Sequence, residues 1–157
     1  MRIGIATANG LAAGLGLPVR GVCTLDAIAL GMGAASEGTR LVVLDARRGE
    51  VFAALYGAGG ERLWEPLVCR PEELVERVAA LGAPPPAAGS GAVRFRQELA
   101  RLGVRIEDDA DPVHRVAARH VSALAAASKD GGPLVPIYLR PPDAERWRER
   151  DSFPRAK

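Results

Sequence analysis

A mixed α/β sheet with helices packed against it is what this sequence predicts, and three observations predict it. Two apolar, β-prone runs over residues 41–46 and 51–56 are joined by Arg47, Arg48, Gly49 and Glu50, a hairpin with Gly available for a positive φ. A third β-prone run over residues 62–68 follows Gly57, Gly59 and Gly60, and from residue 71 onward helical and strand patterns alternate. Hairpin strands first and strand-helix alternation afterwards is the order of a sheet covered by helices. The chain has 157 residues, 48% of them hydrophobic, which suffices for one domain with its own core.

The elements follow in order. Residues 2–16 read as a small-residue helix ending near Gly14 or Gly16, with Pro18 beyond it as a stop. Gly4, Ala8 and Ala12 recur every four residues and leave one face nearly bare, so a neighbour must pack closely there. Gly inside a helix costs about 1 kcal/mol against Ala, so Gly4 and Gly10 make this a poor helix in isolation. A short strand is expected over residues 19–22, then Thr24 as N-cap of a helix over residues 25–35 with Asp26 in its first turn. Ser36, Glu37, Gly38 and Thr39 break the chain before the hairpin.

After the third strand, Pro71 opens a helix through residue 81, with Glu72 and Glu73 where the helix dipole favours acids. Pro84, Pro85 and Pro86 form the clearest internal break. Beyond it the patterns suit a strand and turn over residues 87–91, a helix over 92–102, a strand over 104–106, an acidic loop over 107–112 and an Ala-rich helix over 115–128. Residues 136–143 are extended and the remainder is a charged tail.

Composition excludes several function classes. Phe, Trp and Tyr number only 3, 2 and 2 while Ala numbers 28, so packing relies on Leu, Val and close backbone approach. No apolar run approaches the roughly 18–20 residues of a membrane-spanning helix, and the N-terminus lacks the order of a signal peptide, so a cytoplasmic location is expected. Cys23 and Cys69 stand far apart with no further Cys or His beside them, which fits buried or half-buried thiols better than a disulfide framework or a zinc site. Net charge is +2, and the tail from Arg140 carries it with six basic and four acidic residues. The balanced body, poor in aromatics, lacks the basic face and stacking platforms that grip nucleic acid.

The candidate sites are sparse. The 18 glycines do not form a dinucleotide fingerprint, since Val19 follows Gly14 and Gly16 at its third position and Ser36 follows Gly31 and Gly33. A phosphate loop ending in Gly-Lys-Ser/Thr is impossible, because the only lysines are Lys129 and Lys157. His114 and His120, six apart, do not share a helix face as metal ligands would, and are expected at helix ends or facing solvent. Gly89-Ser90-Gly91 is one spacer short of a nucleophile elbow, so Ser90 reads as a turn residue. Asp45, Arg47, Arg48 and Glu50 gather at the hairpin turn, either as a charged docking patch or as a solvated tip. On residues alone the chain is a cytosolic α/β domain with no visible catalytic set, metal or cofactor.

Four strings carry a resemblance: RIGIATANGLAAGLGLP at residues 2–18, GVCTLDAIA at 21–29, VLDARRGEVF at 43–52 and PIYLRP at 136–141. Their sequence and order resemble the TsaB (YeaZ) family. The resemblance implies a fold of the ribonuclease-H-like, actin-like ATPase superfamily, with two lobes. It implies a first-lobe remnant over residues 1–36, a second lobe over 37–135, and an extended return segment with charged tail over 136–157. In the family a further stretch ending in GPGSFTG precedes the RIGI helix, so a truncated first lobe is expected here.

The resemblance also implies a role. Family members are accessory, non-catalytic scaffold subunits that pair with a TsaD-type catalytic subunit. With a TsaE-type ATPase they support transfer of threonylcarbamoyl to N6 of the adenosine beside the tRNA anticodon. The tRNA would be met only through that complex, with no membrane, no cofactor and no metal of the subunit's own, and with a homodimer when the chain is alone. Pairing runs through first-lobe helices, one of them residues 2–16, where Arg2, Ile5, Ala6, Asn9 and Ala13 are the expected contacts; packing within its own lobe is the other reading of that face. The turn residues Asp45, Arg47, Arg48 and Glu50 are a family feature of unassigned role. The rival readings are a glycoprotease-like peptidase, an ATPase of the same superfamily, or a fragment without function; fold alone does not license the enzymes.

Overall fold

A computed structural model describes residues 2–33, 38–128 and 131–140. The break at residues 36 and 37, the end of the extended segment at 141–143 and the charged tail lie outside the described residues.

The sheet has four strands in the order β3-β2-β1-β4. β1 (Arg40–Arg47) pairs antiparallel with β2 (Glu50–Tyr56), which pairs antiparallel with β3 (Arg62–Cys69); β4 (Ala87–Ala88) lies parallel to β1. β1 and β2 read as continuous apolar runs because both faces of the sheet are covered. Leu41, Val43, Val51, Ala53 and Leu55 enter one core with Leu74, Val78, Ala92 and Leu99 from the helices. Val42, Ala54, Tyr56 and Ala88 enter a second core with Leu25, Ile28 and Ala29. Neighbouring residues on a strand point to opposite faces, so β1, β2 and β4 feed both cores in alternation, while β3 adds Cys69, Trp64 and Leu67 to the first.

The helices fall on these two faces. α1 (Arg2–Leu15) buries no residue, whereas α2 (Thr24–Gly31) buries Leu25, Ala27, Ile28 and Ala29. α2 therefore shares a core with the sheet although it precedes residue 37. α3 (Pro71–Ala79) carries Pro71 in its first turn and buries Leu74 and Val78. α4 (Ser90–Arg94), α5 (Arg96–Ala100), a 3-10 turn at Pro112–His114 and α6 (Ala118–Ala127) complete the described elements.

α1 ends as its glycine predicts. Gly16 takes φ 64, and Leu17 N–H bonds Ala12 O at 2.9 Å while Gly16 N–H bonds Ala13 O at 3.4 Å, a Schellman closure.

Several expectations need correction. Residues 19–22 form no strand: among the described residues no strand lies beside them, and Val19 O accepts one bond from Gly132 N–H at 3.3 Å. Thr24 is the first residue of α2 rather than its cap; Cys23 stands at the cap without a side-chain bond. The helix expected over 92–102 begins earlier and breaks at Phe95 (φ −106, ψ 31). The break lets Ala92, Phe95 and Leu99 all pack into the same core. Residues 104–106 contribute a single bridge from Ile106 to Ala87 rather than a strand. The helix expected from 115 starts at Ala118 because residues 112–114 wind as a 3-10 turn.

Candidate functional site

The barest surface is α1. Ile3 is 84% exposed, Leu11 61% and Leu15 68%, and their spacing of eight and four residues sets them along one side of the helix. Side chains added at Gly4, Gly10 or Gly14 would meet nothing within 4 Å. A large apolar stripe with open space around its glycines is the signature of a face meant to be covered.

Of the residues expected to make contacts there, Arg2, Ala6 and Ala13 are exposed and Ile5 and Asn9 are half-buried. Two of them are engaged within the chain. Asn9 bonds Leu134 twice, and the Arg2 guanidinium sits 5.2 Å from the Tyr138 ring centroid. Ile3, Leu11 and Leu15 were not singled out by the sequence, although the spacing of large apolar residues along a helix of Gly and Ala carried the signal.

Residues 134–140 connect this helix to the hairpin turn. Arg140 donates to Glu50 at 2.8 Å and to Ala46 O at 3.0 Å at the base of the hairpin. At the tip, Arg48 and Gly49 form a two-residue loop with φ 56 and 76, the sign that matches strand twist. Arg47, at the adjoining bulge, also has a positive φ of 62, unusual for Arg. Asp45 holds the bulge: its carboxylate accepts from Arg47 N–H at 2.8 Å and from Arg94 at 2.7 Å. Partial burial opposes ionisation, yet Arg94 and the Arg47 N–H prevail and hold the Asp45 carboxyl below its ordinary value. Asp45 is thus tied to the Arg47 backbone and to Arg94, and Glu50 to Arg140.

The remaining candidates have structural duties. His114 closes the 3-10 turn, at a helix end as expected, but is buried rather than facing solvent: Nδ1 accepts from Gly89 N–H at 3.1 Å, so Nε2 carries the proton and meets Glu107 O at 3.2 Å. His120 is half-buried, and its ring lies so near Gly31 that a Cβ there would stand 2.9 Å away, which lets α6 approach α2. Ser90 opens α4, and its hydroxyl accepts from Asp45 N–H at 3.2 Å. Gly89 has φ 107 and would place a Cβ 2.3 Å from Val43 O; Gly91 is nearly as tight against Leu44 and Asp45. The Gly-Ser-Gly string exists to bring α4 onto β1. Cys69 is buried, and burial raises its thiol pKa. Among the described residues no group of three or more His, Cys, Asp and Glu is arranged to hold a metal ion. Among them, too, no helix is long and apolar enough to cross a membrane.

Comparison with known proteins gives this geometry a context. The model of the family described as "TsaD: tRNA N6-adenosine threonylcarbamoyltransferase" matches residues 1–105. An uncharacterised protein of Mycobacterium leprae is 37% identical over 92% of this chain and 35% of its own length. One of Mycobacterium tuberculosis is 38% identical over 92% of this chain and 60% of its own. The tRNA threonylcarbamoyladenosine biosynthesis protein TsaB of Escherichia coli is 38% identical over 58% of this chain and 42% of its own. The chain thus spans from about a third to three fifths of the length of these curated relatives. Among solved structures, a Pseudomonas aeruginosa protein described as similar to the peptidase YeaZ superposes with TM-score 0.67 at 26% identity, over 88% of this chain and 67% of its own. YeaZ from the same organism gives TM-score 0.59 at 24% identity, over 80% of this chain and 58% of its own, a likeness of fold.

Proposed function

This chain belongs to the TsaB (YeaZ) family, and from that premise we propose that it is a non-catalytic scaffold subunit in threonylcarbamoyl modification of tRNA. Its α/β architecture is that of the actin-like, ribonuclease-H-like ATPase superfamily. The observation that carries the proposal is α1: a helix without one buried residue that displays Ile3, Leu11 and Leu15. A helix so poor in intrinsic propensity is stabilised by packing, and here the packing surface faces outward.

In this reading α1 belongs to a partner-binding lobe, and residues 37–135, with α2 packed on them, are the second lobe. A TsaD-type catalytic subunit covers α1, its small residues admitting close helix approach while Ile3, Leu11 and Leu15 supply buried apolar area. Ala6, Ala13 and the half-buried Ile5 border that contact, and Arg2 and Asn9 tie the helix to Tyr138 and Leu134. The TsaE-type ATPase and the tRNA join through the assembled complex in the cytoplasm. Without a TsaD-type subunit, a second copy covers the same stripe.

The test is capture by a co-expressed TsaD-type subunit. The 157-residue chain is expected to be retained, and Leu11→Asp with Leu15→Asp to abolish retention while the circular dichroism of the isolated chain stays unchanged. The isolated chain is expected neither to hydrolyse ATP nor to modify tRNA. Robust ATP turnover by the chain alone, or capture that survives the double substitution, overturns the proposal.

A further inference from the structure

The hairpin between β1 and β2 ends in a backbone that suits its own side chains badly. Arg47, Arg48 and Gly49 take φ 62, 56 and 76 in succession, and among the described residues the two arginines are the only ones besides glycines with a positive φ. Asparagine and aspartate bear this region most easily, and a turn built for stability alone places Asn-Gly or Asp-Gly here. Bulky residues held in it concentrate at functional sites, where the work of the side chain outweighs the strain.

The charges around the tip do not cancel. The two acids of the turn are engaged from outside it: Asp45 by Arg94 at 2.7 Å and Glu50 by Arg140 at 2.8 Å. Arg47 and Arg48 are exposed, so four arginines stand against two acids among the described residues at this end of the sheet. At the adjoining junction of β3 and α3, Arg70 and Arg77 are balanced by Glu72 and Glu73 and change nothing. Arg140 also opens residues 140–157, whose six basic and four acidic side chains carry the whole net charge of +2. Its bonds to Glu50 and Ala46 O start that stretch at the base of the hairpin.

Exposed guanidinium groups bind phosphate through paired N–H donors, and such contacts position a nucleic acid without reading its bases. The turn over residues 45–50 has no aromatic side chain on which a base could stack, so its chemistry is that of backbone contact alone. We propose that the Arg47–Arg48 tip touches the phosphate backbone of tRNA when this chain stands in its complex. The proposal rests on the reading of the chain as a scaffold subunit in tRNA modification and adds to it a direct, sequence-independent contact with the substrate. A body balanced in charge does not hold RNA alone; the tip adds about two phosphate contacts to the grip of the whole complex.

Asparagine substitution separates this role from the needs of the turn, because Asn tolerates a positive φ and carries no charge. In the complex with a co-expressed TsaD-type subunit, Arg47→Asn with Arg48→Asn is expected to weaken binding of unmodified tRNA about tenfold at about 0.1 M salt, and to lower the slope of log affinity against log salt by about 1 to 2. Capture of the TsaD-type subunit stays unchanged, and the urea midpoint of the isolated chain stays the same or rises. Arg101→Asn with Arg105→Asn, which removes the same charge elsewhere on the surface, is expected to leave tRNA affinity within about twofold. Equal tRNA affinity and slope in the tip variant overturn the proposal and leave the scaffold reading intact. Loss of the TsaD-type subunit from the tip variant also overturns it, since the tip then meets protein and not RNA. A wild-type chain that captures no TsaD-type subunit overturns both.

Discussion

Asn9 and Leu134 bond each other in both directions: Leu134 N–H reaches the Asn9 side-chain oxygen at 2.8 Å, and the Asn9 amide donates to Leu134 O at 3.0 Å. A side-chain amide here does what a neighbouring strand would do, satisfying both backbone groups of an extended residue. The pair joins residues 125 apart and anchors a helix that has no buried side chain. Asn9→Ala is expected to free the segment locally, at about 1 kcal/mol. Hydrogen exchange at the Leu134 amide should accelerate about fivefold, with the global unfolding midpoint almost unmoved. Asn9→Asp, which accepts but cannot donate, should fall between the two.

Glycines in this chain divide into those that need to be glycine and those that do not. Gly89→Ala combines φ 107 with a Cβ 2.3 Å from Val43 O, so it should destabilise the domain by more than about 2 kcal/mol. Gly10→Ala adds a methyl into open space inside α1 and should strengthen that helix by about 0.5–1 kcal/mol. Urea denaturation of the first and helical content by circular dichroism of the second decide the matter. Loss of partner capture in Gly10→Ala, despite the better helix, would indicate close helix approach at that position.

Tyr56 should make the chain sensitive to alkali. Burial, then the bond to Asp26, raises its pKa well above the ordinary 10.0. The folded value exceeds the unfolded one, so this contribution is complete below pH 10 and is lost as pH rises beyond it. The urea midpoint of the wild type should therefore fall above pH 10. Tyr56→Phe should remove that part of the fall and cost about 1.5 kcal/mol at neutral pH. A phenolate absorbance from Tyr56 that rises near pH 10 without unfolding would contradict this.

The hairpin turn should respond to acid instead. Asp45 has its pKa lowered below the ordinary 3.8, with Arg94 and the Arg47 N–H outweighing burial. Its contribution is present above pH 3.8 and disappears as pH falls through the lower folded value. Exchange of the Arg47 amide should accelerate over that acid range. Asp45→Asn should exchange faster at neutral pH and lose the acid dependence, because its amide keeps an acceptor for Arg47 but no charge for Arg94.

The sequence by itself determined the hairpin, α3, the stop at Gly16 and the placement of both cysteines away from any disulfide. These follow from local chemistry: apolar runs around Arg-Gly, Pro71 at a first helical turn, and a glycine where the chain must take a positive φ.

Only the tertiary structure decided the rest, because it depends on what a segment finds opposite it. Residues 19–22 have strand propensity but, among the described residues, no strand beside them, and residues 92–102 have helical pattern but bend at Phe95 to reach one core. His114 is polar enough to face water, yet it is buried because Gly89 presents an N–H that needs an acceptor. A cleft around Arg40 brings together residues 26, 40, 56, 62 and 124, which no spacing rule connects. Propensity acts along the chain over a few residues, whereas burial, countercharge and hydrogen-bond satisfaction are settled only when distant segments meet.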